Sequence, residues 1–140
     1  MERVFVYGSL KKGHYNHPLL DGCDFSGVFL TQTNYVLMQG AGFPYLLKPE
    51  HATLYVPRKV LGECYRVDQD TLQALDAFES NGLFYQREKI ELKHVHTLQT
   101  KTAWAYFLLP QMLHEPTPAV SITPFQGEEV YEWLGNLGSD

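Results

Sequence analysis

Gly, Pro or Asn interrupts the apolar stretches of this sequence roughly every eight to twelve residues. Spacing of that kind leaves room for strands, and for few helices of ordinary length. Residues 3–7 (R-V-F-V-Y) read as a strand that stops at Gly8-Ser9. Shorter candidates follow at 35–38, 45–47 and 54–56. Residues 60–67 alternate, with Leu61, Glu63, Tyr65 and Val67 facing one way and Val60, Gly62, Cys64 and Arg66 the other. Residues 85–92 and 102–109 complete the set, joined by a polar hairpin loop over 93–101. With 140 residues the expectation is a single domain.

The helices are fewer. Asp68 is suited to cap a helix running to Glu79, with acidic residues in its first turn and Ser80-Asn81-Gly82 as its stop. Thr123-Pro124-Phe125-Gln126 has the form of a capping box with proline in the first turn, and predicts a second helix over 123–135. A short helical turn fits 18–20. The expected class is therefore α+β, a small mixed β-barrel or strongly curved sheet with two or three helices packed outside.

Composition removes several functions. Eleven Lys and Arg against 16 Asp and Glu leave a net charge of −5, the wrong sign for a general nucleic-acid binder. The longest purely apolar run has seven residues, 103–109, where a membrane-spanning helix needs about 20. Cys23 and Cys64 are too few for a disulfide framework. With no apolar leader after Met1-Glu2-Arg3, the expected location is the cytoplasm.

Two places could carry chemistry. At Tyr7-Gly8-Ser9-Leu10 a strand runs into a turn, where successive backbone N–H groups can form a nest for an anion or a developing oxyanion. Gly8 would allow close approach to the backbone. The alternative is an ordinary turn before a lysine-rich loop. The second place is Glu79. At about 100° per residue from Leu72, Leu75 falls at about 300°, Phe78 at about 240° and Glu79 at about 340°. Glu79 thus points into the apolar arc, with Asp76 at its edge. Burial there, at the end of the helix dipole that disfavours negative charge, would raise its pKa towards the range useful for proton transfer. The alternatives are an acid paired with Arg66 or Arg87, or a frayed last turn. Tyr85 could add a hydroxyl to the site or simply pack. His14 with His17, and His94 with His96, have ligand-like spacing but no third partner, so no metal is expected.

In order and combination, V-F-V-Y-G-S-L-K-K-G, G-E-C-Y-R-V, L-D-A-F-E-S and the following Y-Q-R resemble the gamma-glutamylcyclotransferase-like superfamily, and within it the gamma-glutamylamine cyclotransferase branch. Gly42-Phe43-Pro44 and Trp104-Ala105-Tyr106 are compatibly placed. The similarity covers 4–106, with little to match beyond about residue 109. It implies a small mixed barrel whose cavity is lined by Tyr7, Gly8, Ser9 and Leu10, with Glu79 as the catalytic acid/base and Tyr85 in the same pocket. Relatives often carry Thr where this chain has Ser9, which preserves the hydroxyl.

The chemistry implied is intramolecular aminolysis of a small gamma-glutamyl amide, releasing 5-oxoproline and a free amine without a cofactor. No nucleic-acid or membrane partner is implied, and the oligomeric state is left open. Other readings of the same residues are a non-catalytic binding or sensing module, and a hydrolase or lyase that uses the acid on water.

Overall fold

The computed structural model describes residues 1–40, 42–113 and 117–135. Five strands close into a barrel in the order β1 (Glu2–Val6), β5 (Leu61–Val67), β2 (Asp24–Thr31), β6 (Tyr85–His94) and β7 (Thr100–Leu108). Neighbours are antiparallel except where β1 meets β7, a parallel contact at Val4 and Trp104 that shuts the barrel. Two hairpins lie apart from it: β3 (Val36–Gln39) with β4 (Pro44–Leu47), and β8 (Ile122–Phe125) with β9 (Glu128–Tyr131). No helix of the described residues is long and apolar enough to cross a membrane.

Period-two alternation sorts the strand residues into two cores. Phe5, Phe29, Cys64, Ile90, Leu92, Ala103, Ala105 and Phe107 share one cluster. Their neighbours Val4, Val6, Tyr65, Val67, Tyr106 and Leu108 join Leu72 and Leu75 of α1 (Gln69–Phe78) in the other. Burial on both faces explains why 60–67 is apolar on both sides apart from Glu63 and the exposed Arg66. Gly62 is needed in that strand because a Cβ there would stand 2.6 Å from the Phe5 ring and from the Val6 carbonyl. Both cysteines are free, and burial pushes the Cys64 thiol up to about 11, away from nucleophilic use.

Helix α1 begins as its sequence predicts: the Asp68 carboxylate accepts a hydrogen bond of 2.7 Å from the Thr71 N–H. Asp76 ties it to the barrel, accepting from the Tyr106 hydroxyl at 2.6 Å and pairing with Arg87 Nε at 2.9 Å.

Three expectations fail. Against the expectation of two or three helices, α1 is the one α-helix among the described residues; the short turn expected over 18–20 is present as the 3-10 turn His17–Leu20, and Pro49–His51 and Pro110–Met112 are further 3-10 turns. The helix expected over 123–135 is instead the β8–β9 hairpin through residue 131 and irregular chain from 132 to 135, residues 136–140 lying outside the description. Gln126 and Gly127 both have positive φ, 49° and 84°, the conformation of a tight hairpin turn. The Gln126 side chain donates to the Val95 carbonyl at 2.9 Å instead of capping a helix. Finally, 54–56 forms no strand, with Leu54 and Val56 exposed, while the strand β2 goes unpredicted. A bulge between Phe25 and Gly27 breaks its alternation, so that Gly27 reads as a stop.

Candidate active site

Glu79 is the C-cap residue of α1, its N–H donating to the Leu75 carbonyl at 2.8 Å. The chain then reverses in a Schellman arrangement, with Ser80 N–H on Ala77 O at 3.2 Å and Asn81 N–H on Asp76 O at 2.9 Å. Ser80 takes the left-handed position with φ 50°, where a residue with a Cβ costs about 1 kcal/mol. Asn81 then accepts from the Arg87 N–H at 2.8 Å, and the Gly82 N–H donates to Tyr85 O at 2.7 Å. This knitted corner fixes Glu79 and Tyr85 relative to each other.

Across from the corner lies the end of β1. Tyr7, Gly8, Ser9 and Leu10 are all buried. The segment is held from behind: Asn16 donates from its N–H to Ser9 O and from Nδ2 to Ser9 Oγ, both at 2.9 Å, and Lys11 N–H donates to Gly8 O at 3.0 Å. The buried Lys11 Nζ donates to the Trp133 carbonyl at 2.7 Å. The N–H groups of Gly8, Ser9 and Leu10 have no acceptor among the described residues. Orphaned donors on a buried turn are what an anion or a developing oxyanion requires.

These elements enclose a cavity of about 290 Å³, close to the smaller end of ligand pockets. All six residues singled out in the sequence line it: Tyr7, Gly8, Ser9, Leu10, Glu79 and Tyr85. Phe43, Pro44, Phe84 and Tyr106 are among the others. Gly8 is glycine for a reason unlike the one expected: a Cβ there would lie 2.7 Å from the Pro44 ring. The close approach is made by protein, and it brings β4 against the β1 turn.

The electrostatics centre on one carboxyl. Burial raises Glu79 to about 7 from an ordinary 4.5, although the residue keeps part of its surface open. Its charge is felt at three surrounding phenols, Tyr7, Tyr85 and Tyr106. Yet Tyr7 donates to the Tyr106 carbonyl, Tyr85 to the Pro44 carbonyl at 3.1 Å, and Tyr106 to Asp76. The three hydroxyls are committed elsewhere, and burial holds each pKa well above the usual phenol value. Glu79 also forms no ion pair among the described residues. Arg87 is taken by Asp76 and lies 4.0 Å over the Trp104 ring. Arg66 is exposed, and neither arginine lines the cavity.

The four histidines singled out in the sequence make contacts within the scaffold. His14 meets the Trp133 ring at a tilt of 40° with centroids 5.0 Å apart, His17 Nδ1 lies 2.9 Å from Leu10 O, and His94 Nδ1 accepts the N–H groups of His96 and Thr97 at 3.1 Å. No group of three or more His, Cys, Asp or Glu suited to a metal occurs among the described residues.

Comparison with known proteins identifies the family and the fold. The family described as gamma-glutamyl cyclotransferase, AIG2-like matches residues 4–125, extending past the point near 109 where the sequence motifs fade. A provisionally named gamma-glutamylcyclotransferase of Methanocaldococcus jannaschii is 35% identical over 108 residues, covering 76% of this chain and 84% of that protein. The human gamma-glutamylaminecyclotransferase is 37% identical over 100 residues, which are 66% of this chain and 63% of the human one. The crystal structure of an AIG2-like protein from Mus musculus superposes with a TM-score of 0.67 at 30% identity, covering 84% of this chain and 85% of that one. With the same barrel and a match over most of its length, this chain belongs to the gamma-glutamyl cyclotransferase, AIG2-like family.

Proposed function

We propose that the protein is a gamma-glutamyl cyclotransferase acting on gamma-glutamyl amines, with Glu79 as the group that moves the protons. The observation that carries this reading is the Glu79 carboxyl: it faces a cavity, pairs with no cation among the described residues, and shares that small enclosure with three residues whose backbone N–H groups find no acceptor among them. A structural acid would be paired; a general base is left free and tuned towards the working pH.

In the reaction, Glu79 takes a proton from the substrate α-ammonium, and the freed amine attacks the γ-carbonyl carbon. The new C–N bond closes a five-membered ring, and the bond from that carbon to the departing nitrogen breaks. Two protons leave the α-nitrogen and two reach the departing amine by way of Glu79, so the step consumes no water. The N–H groups of Gly8, Ser9 and Leu10 receive either the α-carboxylate or the tetrahedral oxygen. Burial on both sides holds the flexible glutamyl chain folded, which supplies part of the rate through proximity. The scheme draws on no metal or organic cofactor. Tyr85, kept protonated, shapes the wall and anchors Pro44. The test is 5-oxoproline release from a gamma-glutamyl amide by wild type and by Glu79→Gln. Release by wild type with loss of at least about 100-fold in the variant is expected; comparable turnover by both would remove Glu79 from the mechanism.

A further inference from the structure

The wall of the cavity changes character from its floor to its mouth. The floor residues Phe5, Val6, Tyr7, Leu10, Tyr85 and Tyr106 are buried, whereas Phe43 and Phe78 keep 39% and 44% of their surface open. Phe84, half-buried, stands between floor and mouth. Phe43, Tyr45 and Phe84 meet edge to face, with ring centroids 5.9 to 6.5 Å apart and interplanar angles of 73° to 84°. Phe84 then meets Tyr85 in the same manner at 5.1 Å. Aromatic edges therefore continue from the reaction centre outwards, an arrangement suited to receiving another ring or an aliphatic chain.

Charge is equally uneven. Among the described residues Glu79 is the one carboxylate on the wall, and no Lys, Arg or His of theirs lines it. Cations on the surrounding elements are engaged: Lys11 on the Trp133 carbonyl, Lys48 on Glu88 at 2.8 Å, and Arg87 on Asp76. The glutamyl half of a substrate brings its own α-carboxylate and oxyanion, and the amides of Gly8 to Leu10 are the donors free to meet them. A second carboxylate, on the leaving amine, finds no cationic partner among the described residues of the wall and would sit near Glu79.

We propose that Phe43, Phe78 and Phe84 form a specificity rim that selects leaving amines with an aromatic or aliphatic body and no carboxylate. The inference rests on the cyclotransferase reading of the cavity and adds to it the class of amine released.

Three substrates separate the possibilities: the gamma-glutamyl amides of ethylamine and phenethylamine, and gamma-glutamylphenylalanine, which is the phenethylamide with one added carboxylate. The phenethylamide is expected to exceed each of the others in kcat/KM by at least about fivefold. Phe43→Leu and Phe84→Leu are each expected to lower the phenethylamide-to-ethylamide ratio by about threefold or more. Smaller differences among the substrates, or ratios unmoved by either variant, overturn the rim. If none of the three yields 5-oxoproline, the cyclotransferase reading itself fails, and calorimetric binding of the same compounds decides the rim separately. Tightest binding of the phenethylamide sustains it; equal binding or none overturns it.

Discussion

Replacing Glu79 with Gln should make the protein more stable as the pH rises, because the wild type carries the cost of an ionised carboxyl in a poorly solvated place. The folded-state pKa of about 7 lies above the ordinary 4.5. The protonated carboxyl's advantage is therefore fully present below about pH 4.5 and is lost as the pH climbs through about 7. The full separation corresponds to about 3 kcal/mol. Glu79 keeps part of its surface open, so screening by water reduces the expected effect to about 2 kcal/mol. For a chain of this size that is a difference of about 7 °C in Tm. Thermal or urea unfolding of wild type and Glu79→Gln at pH 4.5 and pH 8 measures it. The advantage of E79Q should grow by that amount between the two pH values, while every other titrating group cancels. A difference that stays constant across the range would mean that Glu79 ionises like a glutamate in water, and the burial argument would be refuted.

The same carboxyl should govern the acid limb of the rate: kcat/KM is expected to rise about tenfold per pH unit up to about 7 and then level, whereas a limb centred near 4.5 would point to an ordinary exposed acid. Gly8→Ala would drive a methyl to 2.7 Å from the Pro44 ring, and should cut kcat/KM at least about tenfold by displacing the wall opposite Glu79; unchanged kinetics would show that this approach is not tight. Asp76→Ala removes the acceptor of the Tyr106 hydroxyl and the partner of Arg87, and urea unfolding should register a loss of about 2 to 3 kcal/mol, with a loss under about 0.5 kcal/mol contradicting the role given to that network.

Some of this was legible because it is local. The Asp68 cap, the apolar arc through Leu72 and Leu75, and the Ser80-Asn81-Gly82 stop are all written within fifteen residues of one another, so the helix and the direction of Glu79 follow from periodicity. The turn at Gly8-Ser9 is signalled by the break in a strand. Long-range packing is not written that way. Tyr85 reaches Pro44 and Tyr7 reaches Tyr106 across many residues, and no spacing rule joins them. Phe43 and Phe84 look like ordinary loop aromatics until the fold sets them at one opening. The β8–β9 hairpin shows two local signals in competition. Thr123-Pro124-Phe125-Gln126 satisfies the rules for starting a helix, yet the positive-φ turn at Gln126-Gly127 and the burial of Val130 and Tyr131 favour strands. In β2 a bulge hid the alternation.

Attack by the substrate's own amine, and not by water, is the central claim about this cavity. Incubating a gamma-glutamyl amide with the protein in 18O-enriched water and weighing the acidic product by mass spectrometry tests it most directly. Cyclisation predicts 5-oxoproline with no incorporated label, accompanied by one equivalent of free amine. Glutamate carrying 18O in its γ-carboxylate would show that Glu79 activates water, and would contradict the account.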